Sequence, residues 1–431
     1  MSVAASASLR RGSISRRGDR SLWFRLMFLG FPIWWALGIG AFIWPILALP
    51  LTFSLLRRSA LRIPRGFWLW LLFLLWVVGS ASQLDEGIRG MTWGYRAVSY
   101  FAATILFLYL YNEPRDRLSD RRVLLTLLVF WVYVTLGGLL GVIAPRFEFE
   151  SPLEHVLPGR LASNEFVHAL VHPAAAQIST FLGYEAPRPK APFEYTNDWG
   201  SAFALTTPLA IAAFPYVQRG GQRLAVLAML LISIVPVVLS LNRGLLLSLG
   251  AALLYALVRT AANGRHRPAL GIGFGLAIVV IFAIASPLRD VIEARFQTPH
   301  SNQRREALYV ETLSGALRSP ILGFGAPRPS EANPNMPSVG TQGQLWLVLY
   351  SQGIPGALFY VGWHLVGYLR TLRRSSWTGF WCNVVALIAL LQLPYYGHIA
   401  AQLQVIMVAL ALGLRSTLER THSPSPREGL G

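Results

Sequence analysis

Long apolar stretches recur at near-regular intervals along the whole chain, and no other feature limits its folding so strongly. They fall near residues 22–38, 40–56, 67–82, 92–111, 123–144, 199–217, 224–241, 244–258, 269–287, 342–366, 378–395 and 398–415. Many approach the ~20 residues a helix needs to cross the hydrocarbon of a bilayer. Charged residues make up 13% of the chain, against about 25% in an ordinary soluble domain. The expected fold class is all-α: a polytopic integral membrane protein with about 12 transmembrane helices. The first pair is the least regular, because WWALGIGAFIWPILALP reads either as a tight hairpin or as a re-entrant element.

The loops test that count. With the N-terminus inside, the inner segments carry Arg10, Arg11, Arg16, Arg17 and Arg20, then Arg57, Arg58, Arg62 and Arg65, then Arg115, Arg117, Arg121 and Arg122. Arg219 and Arg223, Arg259, Arg265 and Arg267, Arg370, Arg373 and Arg374, and Arg415 and Arg420 continue the series. Short outer loops such as 83–91 and 396–398 lack this excess. Twelve spans with both termini cytoplasmic satisfy the positive-inside rule throughout, and the expected location is the plasma (inner) membrane. On this reading residues 1–21 are a basic, Ser-rich disordered tail, 22–415 the transmembrane domain and 416–431 a second tail. Two outer loops are long, 145–198 and 288–341, and long loops are unusual unless they carry function.

The formal charge of +18 follows from the same topology, and no basic soluble face of the kind nucleic acid requires is present. Cys382 is the only cysteine, so no intrachain disulfide and no thiolate cluster can form. His155, His168 and His172 lie in the first long loop. His168 and His172 are an i,i+4 pair with no clear third ligand, so neither a metal nor a cofactor is expected. Trp199 and the other Trp and Tyr residues near span ends read as interface belts.

Several outer arginines are not explained by topology: Arg146, Arg160 and Arg188 in the first loop, and Arg289, Arg295, Arg304, Arg305, Arg318 and Arg328 in the second. Arg243, in SLNRGLLLSL between two apolar stretches, joins them. A guanidinium is a rigid fork of donors that fits phosphate bidentately, and several near the outer edge of a membrane would suit a lipid-linked diphosphate. The helix expected after Arg243 adds N-terminal N–H groups. In PHSNQRREALYVETLSGALRSP a helix is expected from about Gln303 to before Pro320, with Ser301 or Asn302 as N-cap. Arg304 and Arg305 would then oppose the helix dipole in the first turn until an anion binds. The plainer alternatives are snorkelling or a salt bridge for Arg243, and a solvated face with Glu306 or Glu311 as partner for the pair.

SLNRGLLLSLGAALLYAL resembles an element of the O-antigen ligase and polymerase superfamily, in which S-R-G precedes a small, apolar helix. SNQRREALYVETLSGALRSPILGFGAPRP, TQGQLWLVLYSQGIPGALFYVGW and RPKAPFEYTNDWGSAFALTTPLAI are similar to further segments of that superfamily, in family order over about 185–366. The resemblance implies a metal-independent, inverting glycosyltransferase of the membrane C-type. It would take a saccharide from a polyprenyl diphosphate carrier on the outer side and pass it to a saccharide or lipid acceptor. Membrane lipids surround such a site and nucleic acid is no partner. By motif match, Arg243 and Arg304 or Arg305 inherit the diphosphate role, Arg188 and Arg295 are further substrate-binding candidates, and Asn197 occupies the asparagine of the upstream element, beside Asp198. The chain departs from the family at Gln342, which stands where the ligase pattern has histidine. Glutamine is no general base. Glu194, Asp198, His300 or His398 would then take the proton, or Gln342 only orients the acceptor, or catalysis is lost. A polymerase and a ligase differ only in acceptor. A secondary transporter or flippase, or a non-catalytic partner in polysaccharide export, remains the alternative, although acidic residues for ion coupling are nearly absent from the spans.

Overall fold

The computed structural model describes residues 21–85, 87–179, 185–285, 300–333, 336–373 and 376–415. In them the apolar stretches are helical: α1 Leu22–Leu29, α2 Phe31–Ala36, α3 Ile43–Leu56, α4 Phe67–Ser80, α5 Gly87–Asn112 and α6 Asp120–Ile143. After the first long loop come α10 Thr196–Ala213, α11 Gly220–Ile232, α12 Ile234–Leu239, α13 Arg243–Ala262 and α14 His266–Ala285. The chain ends in α15 His300–Arg318, α16 Gln344–Leu372, α17 Trp377–Gln392 and α18 Ala400–Arg415. Among the described residues, four stretches are long and apolar enough to cross a membrane, namely Asp120–Ile143, Gly220–Leu239, Arg243–Ala262 and Gln344–Leu372. Helix length alone therefore supports four crossings, and the molecule is mostly helical.

The first long loop departs from the all-α expectation. It holds three short helices, α7 Pro152–Val156, α8 Gly159–Ala162 and α9 Glu165–Val171, followed by an antiparallel pair, β1 Ala176–Ser179 and β2 Ala186–Pro189. Ser151 and Glu154 form a capping box that starts α7, and the Asn164 side chain accepts from Phe166 and Val167 to start α9.

α18 is the centre of the bundle, with every residue buried. It packs on α5 and α17, while α10 packs on α6 and α17. Its sequence AAQLQVIMVALALGLR has no large aromatic residue, which lets neighbours approach from all sides, as small residues do in membrane bundles. α11 and α13 stay peripheral, and their outward Leu224, Leu231, Leu247 and Leu254 are exposed. Trp199, expected in an interface belt, is instead fully buried and donates through Nε1 to the Val134 carbonyl at 2.9 Å.

One end of the bundle is held by arginine. Arg58 donates to the Asn112 carbonyl at 2.6 Å and pairs with Glu113. Arg415 reaches Asp120 at 2.9 Å, Arg370 the Arg65 carbonyl at 2.6 Å, and Arg259 the Asn383 side chain at 2.6 Å. Arg259 closes the last turns of α13, so Arg243, at the start of the same helix, lies at the opposite end.

Candidate functional site

The opposite end is assembled from small residues outward. α6 carries Gly137, Gly138 and Gly141 where other chain must come close. A Cβ on Gly138 would sit 2.5 Å from the Trp199 ring, on Gly137 2.2 Å from the Ala191 carbonyl oxygen, and on Gly141 2.5 Å from that of Ala175. This glycine face lets Ala175, Pro189, Ala191 and Trp199 lie against α6. Arg188 on β2 is thereby buried, with Nε donating to the Ser240 carbonyl at 2.8 Å, and the Thr196 hydroxyl donates to the Arg188 carbonyl at 3.2 Å.

The turn between α12 and α13 continues the site. Asn242 donates to the Thr196 carbonyl at 3.3 Å and to Asn197 Oδ1 at 3.5 Å, and accepts from the Tyr396 hydroxyl. Leu241 has φ of 50° and Ala400, at the start of α18, 47°. Non-glycine residues in the left-handed region are costly and gather at functional sites. The segment between α17 and α18 packs on the start of α16: Gln344 N donates to the Tyr396 carbonyl at 2.7 Å, and its side chain bonds Tyr100 Oη and His398 N, each at 2.8 Å. Gln402 Nε2 donates to the Asp198 carbonyl at 3.0 Å. The fold thus brings Arg188, Asn197, Asp198, the Asn242–Arg243 turn, Gln342 and His398 to one end.

α15 differs from its expected start. It is helical from His300, so Ser301 and Asn302 lie inside it and are not N-caps, and positions 304 and 305 fall in its second turn. The expected conflict of Arg304 and Arg305 with the dipole weakens accordingly, because the field falls off within the first turn. The side chains of His300, Arg304 and Arg305, and the whole of Arg289 and Arg295, lie outside the described residues. Tyr309 stacks on Trp346 with ring centroids 4.6 Å apart, which sets α15 beside the first turn of α16. Position 305, four residues before Tyr309, shares its helix face. The far end of α15 is also anchored: Ile354 N donates to the Pro320 carbonyl at 2.8 Å, where α16 breaks at Gly353 (φ 70°). A Cβ there would meet the Pro320 and Ile321 carbonyls at 2.6 Å, so SPILGFG and QGIPG dock through backbone.

Other arginines of the two long loops have acidic partners. Arg146 meets Glu185 at 3.5 Å, Arg318 meets Glu331 at 3.1 Å, and Arg328 meets Asp85 at 2.5 Å. Glu311, expected beside the 304–305 pair, instead accepts from Ser330 and from Glu331 N, both at 2.7 Å.

Arg96 escaped the sequence analysis, which counted 92–111 as an apolar span. The legible signal was a single cation one turn inside that stretch, an expensive placement that marks function by default. It sits one helical turn before Tyr100, the partner of Gln344, and its Nε and Nη1 are buried with no hydrogen-bond partner among the described residues. Gln342 Oε1 and His398 Nδ1 are likewise buried and unpartnered. Native proteins pair nearly all such groups, and an unmade bond on a buried polar atom costs about 1–3 kcal/mol. These unmade bonds lie at one end of the bundle, and a polar ligand there is what would complete them. Glu194 precedes α10. Burial pushes its carboxyl up to about 7, against the lowering pull of Lys190, whose own ammonium burial holds below its ordinary value. An apolar cavity of about 160 Å³ adjoins this region, lined by Phe42, Met91, Tyr95, Leu157, Phe166 and Leu170. It has the wrong chemistry for a reaction centre and the right one for a hydrocarbon tail.

The fold also supplies what the His168–His172 pair lacked in sequence. Glu154 stands 3.5 Å from His168 Nε2 and 2.9 Å from His172 Nδ1.

Residues 228–361 match the family model described as O-antigen ligase. The match takes in α12, the Arg243 turn, α15, Gln342 and the break at Gly353, while Arg96, Arg188, Glu194, Asn197, Asp198 and His398 lie outside it. No curated protein and no solved structure is detectably similar to the chain.

Proposed function

We propose, from the premise that the chain belongs to the O-antigen ligase and polymerase superfamily through residues 228–361, that it transfers a saccharide from a polyprenyl diphosphate carrier to an acceptor hydroxyl at the outer face of the membrane. The observation that carries this is the set of buried polar atoms on Arg96, Gln342 and His398 that have no partner among the described residues, at the end of the bundle where Arg243 begins α13. Twelve crossings with both termini cytoplasmic agree with the arrangement, because the arginine-held end of the bundle is then the inner one and the site opens outward. The surrounding membrane would be the plasma membrane.

On this reading the guanidinium groups of Arg96, Arg243 and Arg304 or Arg305 hold the diphosphate. As the acceptor oxygen bonds the anomeric carbon and the glycosyl–phosphate bond breaks, the lipid diphosphate leaves with the electron pair. Fixed cations stabilise the charge that grows on it, and they act strongly because they are held in place before the reaction. Gln342, in the position of the family's histidine, orients the acceptor. Glu194 accepts the acceptor's proton, since a carboxyl poised near 7 is matched to that task. Asn197 and Asp198 flank the acceptor path. The apolar cavity beside Tyr95 suits the isoprenoid, and polymerase or ligase outcome depends on which acceptor enters.

The test combines purified protein with a lipid-linked oligosaccharide. Chain elongation or anchor transfer with release of polyprenyl diphosphate is expected, with both lost in Arg243→Ala and Arg305→Ala. Turnover and lipid binding untouched by both substitutions would remove the diphosphate assignment. Binding without turnover in the wild type would favour the second reading, a non-catalytic partner in polysaccharide export, which the glutamine at 342 motivates.

A further inference from the structure

We infer that Glu154, His168 and His172 form a divalent-metal site of zinc type on the cap made by α7, α8 and α9, separate from the saccharide site. Each supplies one ligand atom, and the three atoms lie within 4.8 Å of one another. Around a tetrahedral ion with bonds of ~2.0–2.1 Å, neighbouring ligand atoms are about 3.3 Å apart. The His168 side chain is about half exposed (49%), which leaves it room to rotate toward that spacing.

The carboxylate is held in place before any ion arrives. Ser151 N donates to Glu154 Oε2 at 3.4 Å, and Glu154 N donates to Ser151 Oγ at 3.2 Å. The two imidazoles stack, centroids 4.5 Å apart and planes at 17°, so that both present a nitrogen to the same carboxylate. A His172–Glu154 hydrogen bond would by itself need no second histidine there. The outer surroundings also suit a metal. With Nδ1 of His172 toward the ion, its Nε2–H faces Glu148 Oε2 at 3.8 Å. Metal-bound histidines commonly hand their second N–H to a carboxylate in this way, which fixes the tautomer and raises ligand basicity. Glu148 is itself positioned by a backbone bridge to Ala174. Two neutral imidazoles and one carboxylate, with the fourth position open to water beside His168, are the donor set of a borderline divalent ion.

Such an ion fastens α7 to α9, whose Leu153 and Phe166 line the apolar cavity. The inference holds whether or not saccharide is transferred, and its readout is metal content. Untagged full-length protein in detergent, stripped with chelator, is titrated with zinc and separately with cobalt. One equivalent per chain is expected, with a visible cobalt absorption band and a raised unfolding temperature. His168→Gln and Glu154→Gln are expected to weaken zinc binding at least tenfold. Glutamine at 154 preserves the capping box, and His168 is exposed enough for its substitution to leave the fold intact. Substoichiometric zinc in the wild type, or affinity unchanged in both variants, overturns the assignment.

Discussion

Arg188 donates through Nε to the carbonyl of Ser240 across 2.8 Å, so one guanidinium ties the β2 strand to the turn that presents Asn242 and Arg243. The sequence reading placed Arg188 among substrate-binding groups. Its Nε holds the turn, which gives it a positioning role as well.

Arg188→Ala is therefore expected to destabilise the protein by about 1.5–3 kcal/mol, the range for a hydrogen bond to a charged group, and to lower turnover along with stability. Arg188→Lys recovers little, since an ammonium does not reproduce the fork geometry. Thermal unfolding in detergent and elongation rates, measured on both variants, check this. Equal loss of activity with no loss of stability would argue for direct substrate contact instead.

Arg96 has the opposite signature, with two buried nitrogens that lack a partner among the described residues. Arg96→Ala is expected to leave the fold intact and reduce kcat/KM by roughly 10²–10³-fold, the usual effect of removing one preorganised donor. A reduction below threefold in a lipid-linked oligosaccharide assay would exclude it from the diphosphate site.

Glu194 makes a pH prediction. Its carboxyl is raised from 4.5 to about 7 by burial, so it is largely protonated below neutrality and becomes an available base as pH rises. If it takes the acceptor's proton, kcat/KM climbs through about pH 7, and Glu194→Gln removes that limb. The stability effect has the reverse sign. A carboxyl raised in the folded state contributes stability that is fully present below 4.5 and lost as pH rises through about 7. Glu194→Gln should flatten that part of the stability profile, which pH-dependent unfolding measures.

Two glycines of α13 separate packing from propensity. A Cβ on Gly244 would lie 2.8 Å from the Tyr395 ring and from the Tyr396 hydroxyl, whereas Gly250 has nothing within 4 Å. Gly244→Ala is expected to cost about 1–3 kcal/mol by overpacking and to disturb the Tyr396–Asn242 bond. Gly250→Ala should gain up to about 1 kcal/mol from helix propensity. Unfolding midpoints of the two variants that moved together would contradict the packing at the Arg243 turn.

Hydropathy alone determined that this chain is helical and apolar in the right places, and the motifs around Arg243, Gln342 and Gly353 alone led to the superfamily. Helices are legible this way because their hydrogen bonds and their period are local. The site depended on contacts between residues far apart in sequence. The Ser240 carbonyl lies 52 residues from Arg188, and Gln344 reaches Tyr100 across 244. Glu154 meets His172 across 18. Which arginines are neutralised by acids, which guanidinium is left with unmade bonds, and which carboxyl is dehydrated are all set by burial and by partners from other helices. Only the tertiary structure decides those, because desolvation and pairing belong to the packed environment of a group and not to its neighbours along the chain.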